Sequence, residues 1–168
     1  MNQSKKPVVV AVSGGFDPIH PGHVRYFKEA KALGDKLVVI LNNDNWLRAK
    51  KKYSFMSEKE RKEVIEAIRW VDEVVITKHP KDPTDMGVSE ALRRVRPDIF
   101  ANGGDRNEKD AKNPDSSLYK DSATCKELRI KMIYNVGEGG KIQSSSWLIE
   151  KAAREAPRKI DVTIKKKK

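Results

Sequence analysis

The chain has 168 residues, of which 38% are hydrophobic and 35% charged, the length and mixture of one soluble domain rather than of several domains or a membrane span. The single cysteine, Cys125, excludes an internal disulfide framework and a thiolate zinc cluster, and the polar start from Met1 to Lys6 lacks a signal peptide's apolar segment, so a cytoplasmic location is expected. A net charge of +11 favours anionic partners such as nucleotides, phosphorylated metabolites or nucleic acid.

In chain order, Pro7 to Val12 is a continuous apolar run, as expected of a strand buried on both faces. Val24 to Leu33 has helical period and ends at Gly34, and Lys36 to Leu41 is a second strand. Ser57 followed by Glu60 is a capping box opening a helix that runs to Trp70, after which Val71 to Thr77 is a third strand. A helix over Val88 to Val95, closed by Arg96 and Pro97, leads to a fourth strand over Asp98 to Ala101. The polar stretch from Asn102 to Ser117 is longer than a usual connection and reads as a binding loop or mobile insertion. A helix from Ser116 to Leu128, a fifth strand from Ile130 to Val136 and a last helix from Ser144 to Ala156 complete the pattern. The alternation predicts an α/β fold: a doubly wound, Rossmann-like parallel sheet of five strands with helices on both faces, and ligands beyond the strands' carboxyl ends. The domain is expected over residues 1–156, with a flexible basic tail over 157–168 that ends in four lysines. That tail is a solvated end that aids solubility, or a contact for RNA or anionic lipid.

The densest chemistry follows the first strand, from Ser13 to His23 (SGGFDPIHPGH). Gly14 and Gly15 let backbone amides approach a ligand, and a helix starting near Gly22 points its positive end to the same place, which makes a phosphate site. His20 and His23, three apart around the helix start, would both face it and donate hydrogen bonds to phosphoryl oxygens. Zinc is the rival reading, but no third ligand is near: Cys125 and His79 lie elsewhere in the chain, and no metal site is expected. Hydroxyls of Ser144, Ser145 and Ser146 at the first turn of the last helix can cap it and bind phosphate.

The segment Gly14-Gly15-Phe16-Asp17-Pro18-Ile19-His20-Pro21-Gly22-His23 resembles the G-x-F-D-x-x-H-x-G-H element of the cytidylyltransferase-like nucleotidyltransferases. That group includes glycerol-3-phosphate and phosphoethanolamine cytidylyltransferases and heptose-phosphate and pantetheine-phosphate adenylyltransferases. The resemblance extends from about Val8 to Glu155. It implies that His20 and His23 contact the nucleotide's phosphates, with Gly14, Gly15, Phe16, Asp17 and Gly22 around them. Lys50 and Lys52, in the basic loop Arg48 to Lys52, fall where glycerol-3-phosphate cytidylyltransferases place triphosphate-binding lysines. Ala101-Asn102-Gly103-Gly104-Asp105-Arg106 is similar to the G-G-D loop that contacts the nucleoside, so Gly103, Gly104 and Asp105 join the nucleotide site. Arg106 is a candidate for the acceptor phosphate. Ile68-Arg69-Trp70-Val71-Asp72-Glu73-Val74-Val75 is similar to the R-[YW]-V-D-E-V-[IV] element, which gives Arg69 a place at the active site, in a structural ion pair or at a subunit contact. Ile142 to Ile149 is similar to the S-T-T-x-I element, with Lys141 standing where relatives carry arginine.

The resemblance implies in-line attack by the phosphate of a small acceptor on the α-phosphorus of a nucleoside triphosphate, with pyrophosphate leaving and Mg²⁺ held mainly by the nucleotide. A phosphate monoester needs no protein nucleophile, so the protein aligns the reactants and stabilises charge. The Arg69 segment and the lysine loop favour CTP with an alditol, sugar or alcohol phosphate. The Gly103-Gly104-Asp105 loop favours the alternative, an ATP-dependent heptose-phosphate-like adenylyltransferase. A homodimer is expected from the same resemblance. Two non-enzymatic readings stand beside these: a nucleic-acid-binding protein using the +11 charge with Trp46, Tyr53 and Trp70, and a catalytically silent nucleotide sensor.

Overall fold

The computed structural model describes residues 6–104, 106–137 and 144–156. The first apolar run forms β1 (Val9–Gly14), and four further strands join it: β2 (Lys36–Leu41), β3 (Glu73–Ile76), β4 (Ile99–Gly103) and β5 (Lys131–Val136). All pairings are parallel, in the order β3-β2-β1-β4-β5. Both central strands are covered on two sides, and their alternation sorts the core. Val10, Val12, Leu37, Val39 and Leu41 pack with Phe27 of α1 (Pro21–Lys31) and Ile65 of α3 (Glu58–Glu66). Ala11 and Ile40 face the other way, against Leu92 of α4 (Ser89–Val95) and Leu118 and Cys125 of α6 (Ser117–Leu128). Burial pushes the Cys125 thiol up to about 12, which leaves it an inert core residue.

The helices depart from the expected bounds for identifiable reasons. Pro21 and Gly22 carry no apolar periodicity, yet α1 begins at Pro21, because proline suits a first turn. The third helix stops at Glu66 rather than Trp70, and the chain turns through tighter bonds, from Ile68 N–H to the Ile65 carbonyl and from Val71 N–H to the Ile68 carbonyl. The basic stretch expected as a loop is instead the last turn of α2 (Asp44–Lys51). Asn43 caps it by accepting the Trp46 N–H at 3.0 Å, Leu47 anchors it in the core, and its C-terminal cations match the negative end of the helix dipole. The long polar connection contains α5 (Glu108–Lys112), which opens with a capping box between Asn107 and Asp110.

The chain lays β2 and β3 to one side of β1, then crosses to lay β4 and β5 on the other. Strand order therefore reverses at β1, where the loops after β1 and β4 diverge and leave a crevice. The last helix, α7 (Ser145–Glu155), starts beside that crevice. No helix among the described residues is long and apolar enough to cross a membrane.

Candidate active site

A cleft of about 550 Å³ occupies this crevice, and His20 and His23 line it. His20 is the N-cap of α1: its Nδ1 accepts the Gly22 N–H at 3.1 Å, while His23 Nδ1 accepts the His20 N–H at 3.3 Å. Both Nδ1 atoms are thereby acceptors, so each neutral ring carries its proton on Nε2. The rings stack with centroids 3.7 Å apart. Burial, reinforced by His20 and Lys51, depresses the pKa of His23 to about 3; burial and Lys51 lower that of His20. The capping box thus presents two neutral N–H donors side by side at the positive end of a helix, a geometry suited to phosphoryl oxygens.

The preceding turn is held from behind. Phe16 takes a left-handed backbone conformation (φ 47°) and folds its ring back so that a Cβ on Gly14 would meet it at 2.7 Å. Arg61, fully buried on α3, donates to the carbonyls of Gly15 (2.7 Å), Asn42 (2.8 Å) and Met56 (3.1 Å) and pairs with Asp44 at 2.7 Å. Asp17 does not line the cleft: it is buried, and its two carboxylate oxygens accept the backbone N–H groups of Phe55 and Met56 at 2.6 and 2.8 Å. Its work is to fasten the turn to the segment before α3.

Of the two lysines expected at the triphosphate, Lys50 lines the cleft and Lys52 does not, since Lys52 is the left-handed C-cap of α2. Lys51 lines it instead, donating to the Asp17 carbonyl at 3.0 Å, and Arg25 adds another cation. Arg69 lies outside the cleft with its guanidinium 6.0 Å from the Trp70 ring, while Asp72 pairs with Lys31 and accepts the Leu37 N–H. Gly22, Gly103, Gly104 and Arg106 line the cleft. A Cβ on Gly103 would meet the Tyr26 ring at 2.8 Å, which explains a glycine there. Ser144, Ser145 and Ser146 also line it. Ser144 makes no side-chain cap bond; Ser145 donates to the Pro18 carbonyl at 2.8 Å and so ties α7 to the phosphate turn. Asp105 and Lys141 lie outside the described residues.

Another part of the cleft's lining has a different character. Trp46, Met86, Val88 and Leu118 form an apolar wall, with Asp121 beside it. Neither wall nor carboxylate stood out in the sequence as one site, because the parts come from α2, the connection before α4, and α6. On the cleft's floor, Asn42 Oδ1 is a buried acceptor without a hydrogen-bond partner among the described residues.

The sheet is doubly wound, and a stacked histidine pair lines the crevice at its switch point, the place where sheets of this Rossmann-like type hold their ligands. The chain matches the cytidylyltransferase-like family over residues 11–158. It belongs to that family and is a nucleotidyltransferase. It is 38% identical over 122 residues to the FAD synthase of Methanothermus fervidus, covering 71% of this chain and 79% of that one. It is also 34% identical over 139 residues to the FAD synthase of Archaeoglobus fulgidus, covering 83% and 93%. Among solved structures, a lipopolysaccharide core biosynthesis protein from Thermoplasma volcanium superposes with a TM-score of 0.61 at 26% identity, over 79% of this chain and 98% of that one. Among the described residues, no group of three or more His, Cys, Asp or Glu side chains is arranged to hold a metal ion.

Proposed function

We propose that the protein transfers the adenylyl group of ATP to the phosphate of FMN, producing FAD and pyrophosphate. The observation that carries this reading is one cleft with two ends, a pair of neutral Nε2–H donors at the phosphate end and an apolar wall with one carboxylate at the other. FAD joins an adenylyl group to FMN through a diphosphate, so the family's transfer chemistry would build it from ATP and FMN. The FAD synthases among the relatives therefore favour ATP over the CTP expected from the Arg69 segment and the lysines.

An oxygen of the FMN phosphate attacks the α-phosphorus; the new P–O bond forms as the bond from the α-phosphorus to the α,β-bridging oxygen of ATP breaks, and that oxygen leaves as a terminal oxygen of pyrophosphate. No proton need move, because the attacking phosphate is already ionised. His20 and His23 donate to the phosphoryl oxygens on which charge develops, and the cations of Lys50 and Lys51 follow charge onto pyrophosphate. Mg²⁺ enters with the triphosphate as part of the substrate. That fits a motif whose one carboxylate, Asp17, has both oxygens committed to backbone N–H groups. Ser145 and Ser146, with Gly103 and Gly104 opposite, complete the nucleotide's side of the cleft. A cytoplasmic homodimer remains part of this proposal, checked by light scattering against twice the 19.1 kDa chain mass.

The test is incubation with ATP, FMN and Mg²⁺, followed by chromatographic identification of FAD and measurement of pyrophosphate. Equal amounts of the two support the reading. The resemblance of the Gly103-Gly104-Asp105 loop to heptose-phosphate adenylyltransferases gives the competing acceptor, a sugar phosphate; adenylylation of that class with FMN inert would replace it.

A further inference from the structure

We infer that the far end of the cleft is a subsite for a flat heteroaromatic acceptor, in which Asp121 reads a ring N–H while Trp46, Met86, Val88 and Leu118 hold the ring's faces. The inference rests on the FMN reading above and names the residues that would enforce it.

Three observations lead there. Trp46 is placed at both ends at once. Its ring edge lies 3.3 Å from where a Cβ on Gly15 would sit, beside the phosphate turn, and its Nε1–H donates to the Met86 carbonyl at 2.9 Å. An acceptor whose phosphate reaches the histidines therefore runs alongside indole and methionine before it meets the back of the cleft. Second, the wall is apolar where a sugar ring would need several hydrogen-bonding side chains. Val88 and Leu118 belong to the core cluster beneath the sheet, and burial of a planar ring against them and the indole is the favourable use of such a surface.

Third, Asp121 is buried at 4% exposure yet lines the cleft, and its bonds are one-sided. The Val88 N–H at 2.7 Å and the Ser89 hydroxyl at 2.9 Å both donate to Oδ1, and Oδ2 accepts no hydrogen bond from the described residues. Asn42 Oδ1 is the one fully buried side-chain polar atom without a partner among the described residues, so Asp121 Oδ2 is open to the cleft and within reach of a ligand N–H. Burial, with Asp85 adding to it, raises the Asp121 pKa to about 6 against the pull of Ser89, Val88 and Arg106. Arg106, held by the hydroxyls of Ser116 and Ser117 at 3.2 and 3.3 Å, lines the same cleft and keeps further N–H groups. The isoalloxazine of FMN carries one ring N–H between two carbonyls, an acceptor for which one carboxylate and one guanidinium are the matching partners.

The test compares FMN with its N3-methyl derivative in the wild-type protein and in Asp121→Asn, measuring FAD or methyl-FAD formation with ATP. Asparagine keeps an oxygen for the Val88 N–H and replaces the second oxygen with a donor. The expected result is a rise of about tenfold in KM for FMN in Asp121→Asn, with KM for ATP within about twofold of wild type. The methyl group should cost the wild-type protein about tenfold and the variant less than about twofold. The wild-type comparison needs no variant, so a poorly folding Asp121→Asn does not spare the inference. FAD formation with a KM indifferent both to the methyl group and to residue 121 overturns this inference alone. Absence of FAD from the wild-type protein overturns the reading of function, and this inference with it.

Discussion

The two ends of the cleft are built in opposite ways. At the phosphate end ten consecutive residues, Gly14 to His23, supply turn, helix start and both imidazoles, and the same hydrogen bonds that cap α1 also fix which nitrogen of each ring carries the proton. At the far end Trp46, Met86, Val88, Leu118 and Asp121 converge from three separate stretches, and each also serves the core, a loop anchor or both. Chemistry common to every nucleotidyl transfer can be stored in one contiguous segment because it needs only a helix terminus and donors. Recognition of a particular acceptor needs a wall, and a wall is assembled by the fold.

Substitutions that act on one end and spare the other sharpen this contrast. The largest effect is expected at His20. His20→Ala should lower kcat by about 10²–10³-fold, the scale seen when one donor to a developing charge is removed. It should also cost about 1 kcal/mol of stability through the lost cap. His20→Asn restores a capping acceptor, so a melting temperature that recovers while kcat stays low separates the two roles. Recovery of both would break the claim that Nε2–H acts on phosphate.

Next comes Arg61→Met, which removes the buried guanidinium from Asp44 and the three carbonyls. Urea unfolding should show a loss of about 3–5 kcal/mol, because Asp44 loses its partner while the turn loses its brace. A loss under about 1 kcal/mol would mean that the phosphate turn holds itself.

A smaller effect is expected from pH. His23 is held neutral in the folded protein with its pKa near 3, whereas the unfolded imidazole protonates near its ordinary value of 6.5. The unfolded chain therefore binds the extra proton between those values. The stability contributed by His23 is fully present above about pH 6.5 and is lost as pH falls toward 3. Melting curves across that window should slope less steeply in His23→Gln; parallel slopes would show that His23 is not the titrating group. The mildest change is Trp46→Phe, which keeps an aromatic face but loses the bond to the Met86 carbonyl. KM for FMN should rise about two- to fivefold with KM for ATP unmoved, as steady-state kinetics would show.

The same contrast explains what could be read from the chain. Five strands in β-α-β alternation, the capping box at Ser57 and Glu60 and the switch-point site follow from local pattern, and all appear in the fold. The helical state of Arg48 to Lys51 does not show in the basic run itself, because the cap that opens the helix is Asn43, and so the run does not show which of its lysines line the cleft. Asp17 had the look of a ligand in its motif, but both its oxygens are spent on Phe55 and Met56, 38 and 39 residues away, contacts that no spacing along the chain announces. Asp121 gave no signal at all, since its partners at Val88 and Ser89 lie on another helix start.

The most direct measurement of the central claim is pyrophosphate release with ATP and with CTP, each paired in turn with FMN, glycerol 3-phosphate and a heptose phosphate in the presence of Mg²⁺. Release with ATP and FMN, matched by FAD and at least about a hundredfold faster than with any other pair, is the predicted result. Release confined to CTP with an alditol phosphate would contradict it.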